Sequence, residues 1–370
     1  MAKPGKLDRF DHLLPAQPWT NPWQPDGSYR SDLELLTRLL DVAVGTSQQS
    51  GVVAGAADVW AAEELRRAGF HADEVWPRRT PPRVMPRDLR NFVEDGLTKK
   101  LRTQVEERFG SAGARKALPA EAHVMGRAYS KQIDVLIASW PAGVELLIST
   151  KTMLSSYQKN LRNRFEEGYG DAKNLRGRHP LAALGFLFIA GADIPEPSLI
   201  FAIDMLRKLT SEPDVYECAC LLIVDGAQGK VEEDGSDDSR GPEEESSGLV
   251  VEPRGDHDSD DETASDDEEA LSDSRMTRES RVTLLQQLVP PDLGPDSFFA
   301  RLIGVALERM PIAVYPAVRA SRSAATTPSV GRAAPLVLVL DRGHQAVKPQ
   351  DLTGNDVGRD CAEFRLGTCE

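Results

Sequence analysis

The chain has 370 residues, with 44 lysines and arginines against 58 aspartates and glutamates, so its formal net charge at pH 7 is −14. That length fits one sizeable core with additions, or two compact domains. A charge of this sign argues against a polyanionic partner, because lysine and arginine supply most nonspecific affinity for nucleic acid. The acidity is local, however. Residues 230–274 hold 19 acidic and 3 basic residues, and the rest of the chain carries a net charge of +2.

The four cysteines, Cys218, Cys220, Cys361 and Cys369, form neither a disulfide framework nor a zinc-binding pattern, because no Cys-x-x-Cys pair or matching Cys/His pair is present. No stretch approaches the roughly 18 to 20 apolar residues of a membrane span. We therefore expect a soluble cytoplasmic protein without membrane association.

The first 90 residues are predicted to form an arm followed by helices. Residues 1–30 are rich in proline and tryptophan, which is typical of an irregular arm. Residues 31–90 form a helical N-terminal part, with helices over 32–40 and 56–68, the second ending at Gly69. Four arginines then follow around three prolines, either as an exposed basic loop or as phosphate contacts: Arg78, Arg79, Arg83 and Arg87.

Residues 91–225 are predicted to form the central core. The periodicity indicates a helix over 91–109, a β-hairpin with arms at 131–139 and 144–151, and a helix over 158–175. A strand over 181–189, a helix over 200–209 and a strand over 216–224 follow. This order predicts an α/β fold in which helices flank a mixed central sheet.

An acidic insertion and a second ordered region follow the core. Residues 226–280 have almost no apolar content and are predicted to be disordered, as a solvating linker or as a nucleic-acid mimic that competes with substrate. Residues 281–320 are predicted to continue the core, with Asp296 capping a helix. Residues 321–370 are predicted to be a partly disordered tail, with a possible edge strand at 336–340.

The hairpin carries the residues that point to chemistry. Asp134 and Lys151 lie 17 residues apart on its two arms, so both can reach one edge of the sheet. Phosphodiester hydrolysis needs an activated water and relief of charge on the transition state, and a divalent cation held by carboxylates supplies both. A lysine beside the water can orient it and stabilise charge. We therefore take Asp134 and Lys151 as candidate catalytic residues.

The segments Gln132-Ile-Asp134 and Ser149-Thr-Lys151 resemble the signature of the restriction-endonuclease-like (PD-(D/E)XK) nuclease superfamily. Ser149 stands where that family usually has an acid. A subgroup with Ser-x-Lys places the missing carboxylate on the following helix, which implies Glu166 here, or Glu167 as the alternative. The resemblance implies an Mg²⁺-dependent endonuclease, with Mn²⁺ able to substitute, in which Asp134 and Glu166 hold the metal.

Further residues follow from this resemblance and from the charge pattern. The helix preceding the hairpin often contributes another glutamate in the superfamily, which implies Glu94 or Glu106. The segment from Lys151 to Arg178 has a net charge of +4, so its helix could either lie along a DNA backbone or be a solvated face with internal ion pairs. The candidate contacts to nucleic acid are Lys159, Arg162, Arg164, Lys173, Arg176 and Arg178.

The resemblance further implies a DNA endonuclease of a restriction or phage-defence system, which would act as a homodimer if it cuts both strands. The alternative is a non-catalytic nucleic-acid-binding or scaffold protein, in which Ser149 marks a lost active site. His179 precedes a proline and is interpreted as a hydrogen-bonded structural histidine.

Overall fold

A six-stranded mixed sheet with helices on both faces forms the protein. The computed structural model describes residues 5–44, 49–109, 111, 113, 121–226 and 282–326. The helices are α1 (Leu33–Ala43), α2 (Gln49–Arg67), α3 (Arg87–Asn91), α4 (Lys99–Phe109), α5 (Tyr157–Arg176), α6 (Glu196–Ser211), α7 (Pro295–Arg309) and α8 (Pro316–Thr326). The strands are β1 (Val75–Trp76), β2 (Ala122–Met125), β3 (Ser130–Ile133), β4 (Val135–Ser139), β5 (Gly143–Met153), β6 (Ala183–Gly191), β7 (Cys218–Asp225) and β8 (Thr283–Leu284).

The strand order of the main sheet is β1-β4-β5-β6-β7-β8, and β2 and β3 form a separate two-stranded sheet. Strands β4 and β5 are antiparallel, as the predicted hairpin requires. Strands β5, β6 and β7 are parallel, and α5 and α6 make the crossovers between them. The α/β class, the mixed sheet and the flanking helices predicted from the sequence are confirmed.

Each face of the sheet has its own apolar layer. Helices α1, α2 and α7 pack on one face, where Trp60, Phe298 and Phe299 are fully buried. Helices α5 and α6 cover the other face, which contains Phe186 and Phe188. The helices of residues 31–90 therefore share a core with the hairpin, and α2 lies against β4 and β5.

The hairpin is interrupted at the residue that matters most for the proposed chemistry. Strand β3 ends at Ile133 and strand β4 begins at Val135, which pairs with Ile148 of β5. Asp134 lies between these strands and belongs to neither. Because Asp134 is outside both strands, its side chain does not have to follow the alternation of strand side chains between the two faces of the sheet.

The single helix predicted over 91–109 is wrong. A π-helical turn, Phe92–Gly96, follows α3, and Leu97 is extended before α4 begins. No residue of α4 is buried, and the Leu101 side chain is 49% exposed. The apolar residues of α4 have helical spacing, but no core packs against them within the described part of the chain.

Asp296 does not cap α7. Gly294 occupies the cap position, and Asp296 lies inside the first turn behind Pro295. Its Oδ1 atom accepts a hydrogen bond of 2.8 Å from the backbone N–H of Ser31. The aspartate therefore connects α7 to the chain segment that leads into α1.

The arginine loop, which we define as residues 78–87, is not the exposed basic loop that the sequence predicted. The side chains of Arg78 and Arg83 are 4% and 9% exposed. All four guanidinium groups form ion pairs inside the protein: Arg78 with Asp73, Arg79 with Glu63, Arg83 with Asp8 and Asp11, and Arg87 with Glu74. Their charges are already matched, so the loop offers little to a phosphate.

Two predictions lie outside the described residues. The acidic insertion falls almost wholly within 227–281, and the apolar run at 336–340 falls within the C-terminal tail. Both stay predictions. Among the helices that the structure describes, none has the length and apolar character that crossing a membrane requires.

Candidate active site

Asp134 is fixed against the neighbouring arm of the hairpin. Its Oδ2 atom accepts a hydrogen bond of 2.7 Å from the backbone N–H of Thr150. Burial raises the pKa of Asp134, while this hydrogen bond and the positive charge of Lys151 act in the opposite direction. The structure thus places Asp134 beside the residue that precedes Lys151 and within range of the Lys151 charge.

A second carboxylate, Asp58 of α2, lies beside Asp134, and the sequence analysis missed it. Burial raises the pKa of Asp58 well above its ordinary value and the charge of Asp134 raises it further, while the Thr150 hydroxyl and the charge of Lys6 act in the opposite direction. The Oδ1 atom of Asp58 is buried and has no hydrogen-bond partner within the described part of the chain. The sequence contains one indication of a special role for Asp58, because it is the only charged residue between Gly51 and Ala62 in an otherwise apolar helix segment.

The two carboxylates line a pocket with a volume of about 160 Å³, which we call the carboxylate pocket. Its wall is built from the N-terminal arm, α2, the arginine loop and the β3–β4 junction. The charged residues that line it are Lys6, Asp8, Asp58, Arg83, Glu121 and Asp134. Because Arg83 already pairs with Asp8, Lys6 is the lining cation whose charge is left for Asp58 and Asp134, and it forms no direct ion pair with either among the described residues.

Lys151 also contacts acidic side chains of α5, within a group that we call the charged cluster: Lys131, Lys151, Glu167 and Asp171. The Nζ atom of Lys151 lies 3.5 Å from Oε2 of Glu167 and 3.9 Å from Oδ2 of Asp171. Lys131 lies 3.1 Å from the same oxygen of Asp171. Burial acts against ionisation of Glu167, but Lys151 and Arg164 hold its pKa below the ordinary value. The cluster is therefore internally compensated.

Glu166, the residue preferred from the sequence, faces elsewhere. It lines a groove between α5 and α6 together with Phe201 and Met205. Neighbouring residues of a helix are rotated by about 100°, so Glu167 and Glu166 cannot both face Lys151. Glu167, not Glu166, makes the contact with Lys151.

The carboxylates expected from the preceding helix are also placed away from the hairpin. Glu94 and Glu106 both pair with Arg90, Glu106 at 3.3 Å. The helix contact to Asp134 comes from Asp58 instead.

The six predicted nucleic-acid contacts divide into two groups. Arg176 is buried and paired with Glu217, so its assignment as a DNA contact is wrong. Lys173 pairs with Asp214 and Arg164 pairs with Glu167, at 3.1 and 3.0 Å. Three are exposed, with no ion pair among the residues that the structure describes: Lys159, Arg162 and Arg178.

His179 has a structural contact, because its Nε2 atom lies 3.0 Å from the carbonyl oxygen of Met125. This geometry agrees with the interpretation of His179 as a hydrogen-bonded structural residue.

The described ranges contain no group of three or more His, Cys, Asp or Glu side chains arranged to hold a metal ion. Mg²⁺ does not require such a group, because it retains several waters and binds through one or two carboxylates together with substrate phosphates. Two adjacent carboxylates with raised pKa values and one unpartnered buried oxygen fit this kind of ligand set. The residues of the carboxylate pocket therefore suit a hard divalent cation.

Comparisons with known proteins add no assignment. No family model matches the chain, and neither the curated proteins nor the solved structures gave a match.

Proposed function

We propose that this protein is a divalent-metal-dependent nuclease that hydrolyses phosphodiester bonds in DNA. The observation that carries the proposal is the Asp58–Asp134 pair, in which two carboxylates line one small pocket and neither forms a direct ion pair among the described residues. The order of the strands supports it, because an antiparallel hairpin followed by a crossover to a parallel strand suits the restriction-endonuclease-like resemblance.

In this proposal Asp58 and Asp134 hold Mg²⁺, with Mn²⁺ able to substitute. The bound cation would acidify a water molecule and neutralise charge on the phosphate. The backbone N–H of Thr150 fixes the orientation of Asp134 before any ligand arrives. Asp58 takes the place of the displaced acid that the sequence assigned to Glu166.

Lys151 remains the proposed lysine of the reaction. Its ammonium group is close enough to lower the pKa of Asp134, and Glu167 and Asp171 hold it from the α5 side. An ammonium group in this position can donate hydrogen bonds to a phosphate oxygen or to the attacking water. Glu167 and Asp171 are positioning residues, because they act through Lys151.

The wider assignments are part of the same proposal. Double-stranded DNA as substrate, a homodimer with one site per protomer, and a role in restriction or phage defence all follow from the resemblance. The exposed residues Lys159, Arg162 and Arg178 are the proposed contacts to the DNA backbone.

Plasmid cleavage tests the proposal. Wild-type protein is incubated with supercoiled plasmid and Mg²⁺, Mn²⁺ or EDTA, beside Asp58→Asn, Asp134→Asn and Lys151→Met. We expect metal-dependent cutting that each substitution slows by about 100-fold or more, because each removes a group that stabilises the transition state. Glu166→Gln is the matched control, since it removes an acid from the other side of α5 and should cut at the wild-type rate.

Two outcomes would contradict the proposal. The first is no cutting by wild-type protein with either metal. The second is cutting that survives both Asp58→Asn and Asp134→Asn, because the carboxylate pocket would then be irrelevant to the reaction.

A non-catalytic DNA-binding protein on a degenerate nuclease fold is the second candidate. It is favoured by one observation, namely that the charged cluster already satisfies Lys151 next to Ser149. This candidate predicts salt-sensitive DNA binding by wild-type protein in EDTA, with no cleavage under any condition.

A further inference from the structure

The start of the described chain lies directly on α2, next to the carboxylate pocket. One glycine of the helix allows a close approach. A Cβ atom at Gly55 would come within 3.1 Å of the Leu7 side chain, which is a tight contact, whereas one at Gly51 would lie at an ordinary contact distance of 3.6 Å from Nζ of Lys6. Lys6 and Leu7 therefore lie against α2, and both line the pocket.

The arm is also anchored from the opposite wall of the pocket. Arg83 pairs with Asp8 at 2.7 Å and with Asp11 at 2.8 Å. Phe10, between these aspartates, is fully buried in the core. Lys6 is therefore held near Asp58 and Asp134 by an ordered segment.

The two cations that line the pocket have different surroundings. Arg83 is matched by the aspartates of the arm. Lys6 has an exposed side chain that lines the pocket beside Asp58 and Asp134, and its charge acts on both carboxylates. Lys6 is thus the pocket cation that remains available to a ligand.

We propose that Lys6 is a substrate-binding residue, whose ammonium group contacts a phosphate oxygen of the nucleic acid when a divalent cation occupies the carboxylate pocket. This inference rests on the proposed function. The charges agree with it, because two carboxylates balance one divalent cation and leave the charge of Lys6 to meet one phosphodiester. The N-terminal arm is then part of the site.

The test uses the full chain with Lys6→Gln and Lys6→Arg. Arg9→Gln is the matched control, because it removes an exposed positive charge from the same segment. Mn²⁺ affinity is measured without DNA, and DNA affinity is measured with Ca²⁺, which allows binding to be followed without turnover. Thermal unfolding of every variant verifies folding.

We expect opposite effects on the two affinities. Lys6→Gln removes a positive charge beside the cation, so Mn²⁺ should bind about threefold to fivefold more tightly. It also removes one phosphate contact, so DNA should bind about fivefold to tenfold more weakly. Lys6→Arg should restore DNA affinity. A merely structural lysine would weaken both ligands together or neither.

The inference is overturned if Lys6→Gln binds DNA as tightly as wild type or as Arg9→Gln, or if wild type binds no Mn²⁺ at Asp58 and Asp134. Failure of the nuclease proposal alone would give a distinguishable set of results. Wild-type protein would then bind Mn²⁺ and DNA, with the Lys6 effects intact, but it would cut nothing.

Discussion

Helix α2 carries three acidic side chains that face inward, and their surroundings differ in a way that separates structure from function. Glu63 and Glu64 are fully buried; Glu63 pairs with two arginines and Glu64 with one, and each accepts further hydrogen bonds. Asp58, about one turn earlier on the same helix, faces another carboxylate and keeps an unpartnered oxygen. On this helix the charges of Glu63 and Glu64 are therefore compensated by neighbouring groups, whereas the charge of Asp58 is compensated only in part.

The difference follows from the cost of burying charge. An ionised carboxylate removed from water is tolerated when counter-charges and hydrogen bonds compensate it. Glu63 meets that condition with Arg66 and Arg79, and it stabilises the junction of α2 and the arginine loop. Asp58 does not meet it. A side chain left in this state is a candidate for binding a ligand that completes the compensation.

Breaking the completed network should have the largest effect. Glu63→Gln leaves Arg66 and Arg79 without their carboxylate in the protein interior, and we expect the free energy of unfolding to fall by about 3 to 5 kcal/mol. Chemical denaturation followed by fluorescence measures this change. Asp292→Asn is the control, because its pair with Arg207 is exposed and should contribute less than about 1 kcal/mol. Equal losses of unfolding free energy in Glu63→Gln and Asp292→Asn would show that the buried Glu63 network contributes no more than an exposed ion pair.

Removing the charge of Asp58 should raise the free energy of unfolding of the metal-free protein. The pKa of this carboxyl is raised in the folded state, so its stabilising contribution is present at low pH and is lost as pH rises through that value. Asp58→Asn should therefore stabilise metal-free protein, and more at pH 8 than at pH 5. A gain of 1 kcal/mol corresponds to a rise in Tm of about 2 to 4 °C for a protein of this size.

The same variant should lose its response to metal. Addition of Mg²⁺ should raise the Tm of wild-type protein, because a ligand that binds only the folded state stabilises it. It should leave the Tm of Asp58→Asn nearly unchanged. Differential scanning calorimetry at both pH values measures both effects, and a variant less stable than wild type at pH 8 would show that Asp58 is a compensated structural charge.

The smallest expected effect separates two neighbouring glutamates of α5. Glu167→Gln removes a partner of Lys151 that is itself 45% exposed, so cleavage should slow by no more than about fivefold. Glu166→Gln should have no effect. The measurement compares the cleavage rates of the two variants under the same conditions. A larger loss of rate in Glu166→Gln than in Glu167→Gln would support Glu166 as the acid of the site, as the sequence favoured.

Local patterns were enough to predict the four central strands of the sheet, but not its short outer strands β1 and β8 or the separate β2–β3 pair. Alternation and short apolar runs gave β4, β5, β6 and β7, and the Trp140–Gly143 segment gave the turn. The proximity of Asp134 to the Thr150–Lys151 end of β5 followed because adjacent antiparallel arms bring such residues together. These features depend on residues close in sequence.

Long-range features were missed for the same reason. Asp58 lies 76 residues before Asp134, and only the packing of α2 on the hairpin brings them together. The choice between Glu166 and Glu167 depended on the rotation of α5, which spacing alone does not fix. The partners of the arginine loop come from the arm, from α2 and from the segment before β1, so the loop appeared exposed when each residue was considered by itself.

Anomalous diffraction from crystals soaked in Mn²⁺ tests the central claim most directly. The account predicts a manganese peak in the carboxylate pocket, coordinated by Asp58 and Asp134, and its loss in Asp58→Asn. A peak in the charged cluster, at Glu167 and Asp171, or no peak at any Mn²⁺ concentration that supports cleavage, would contradict it.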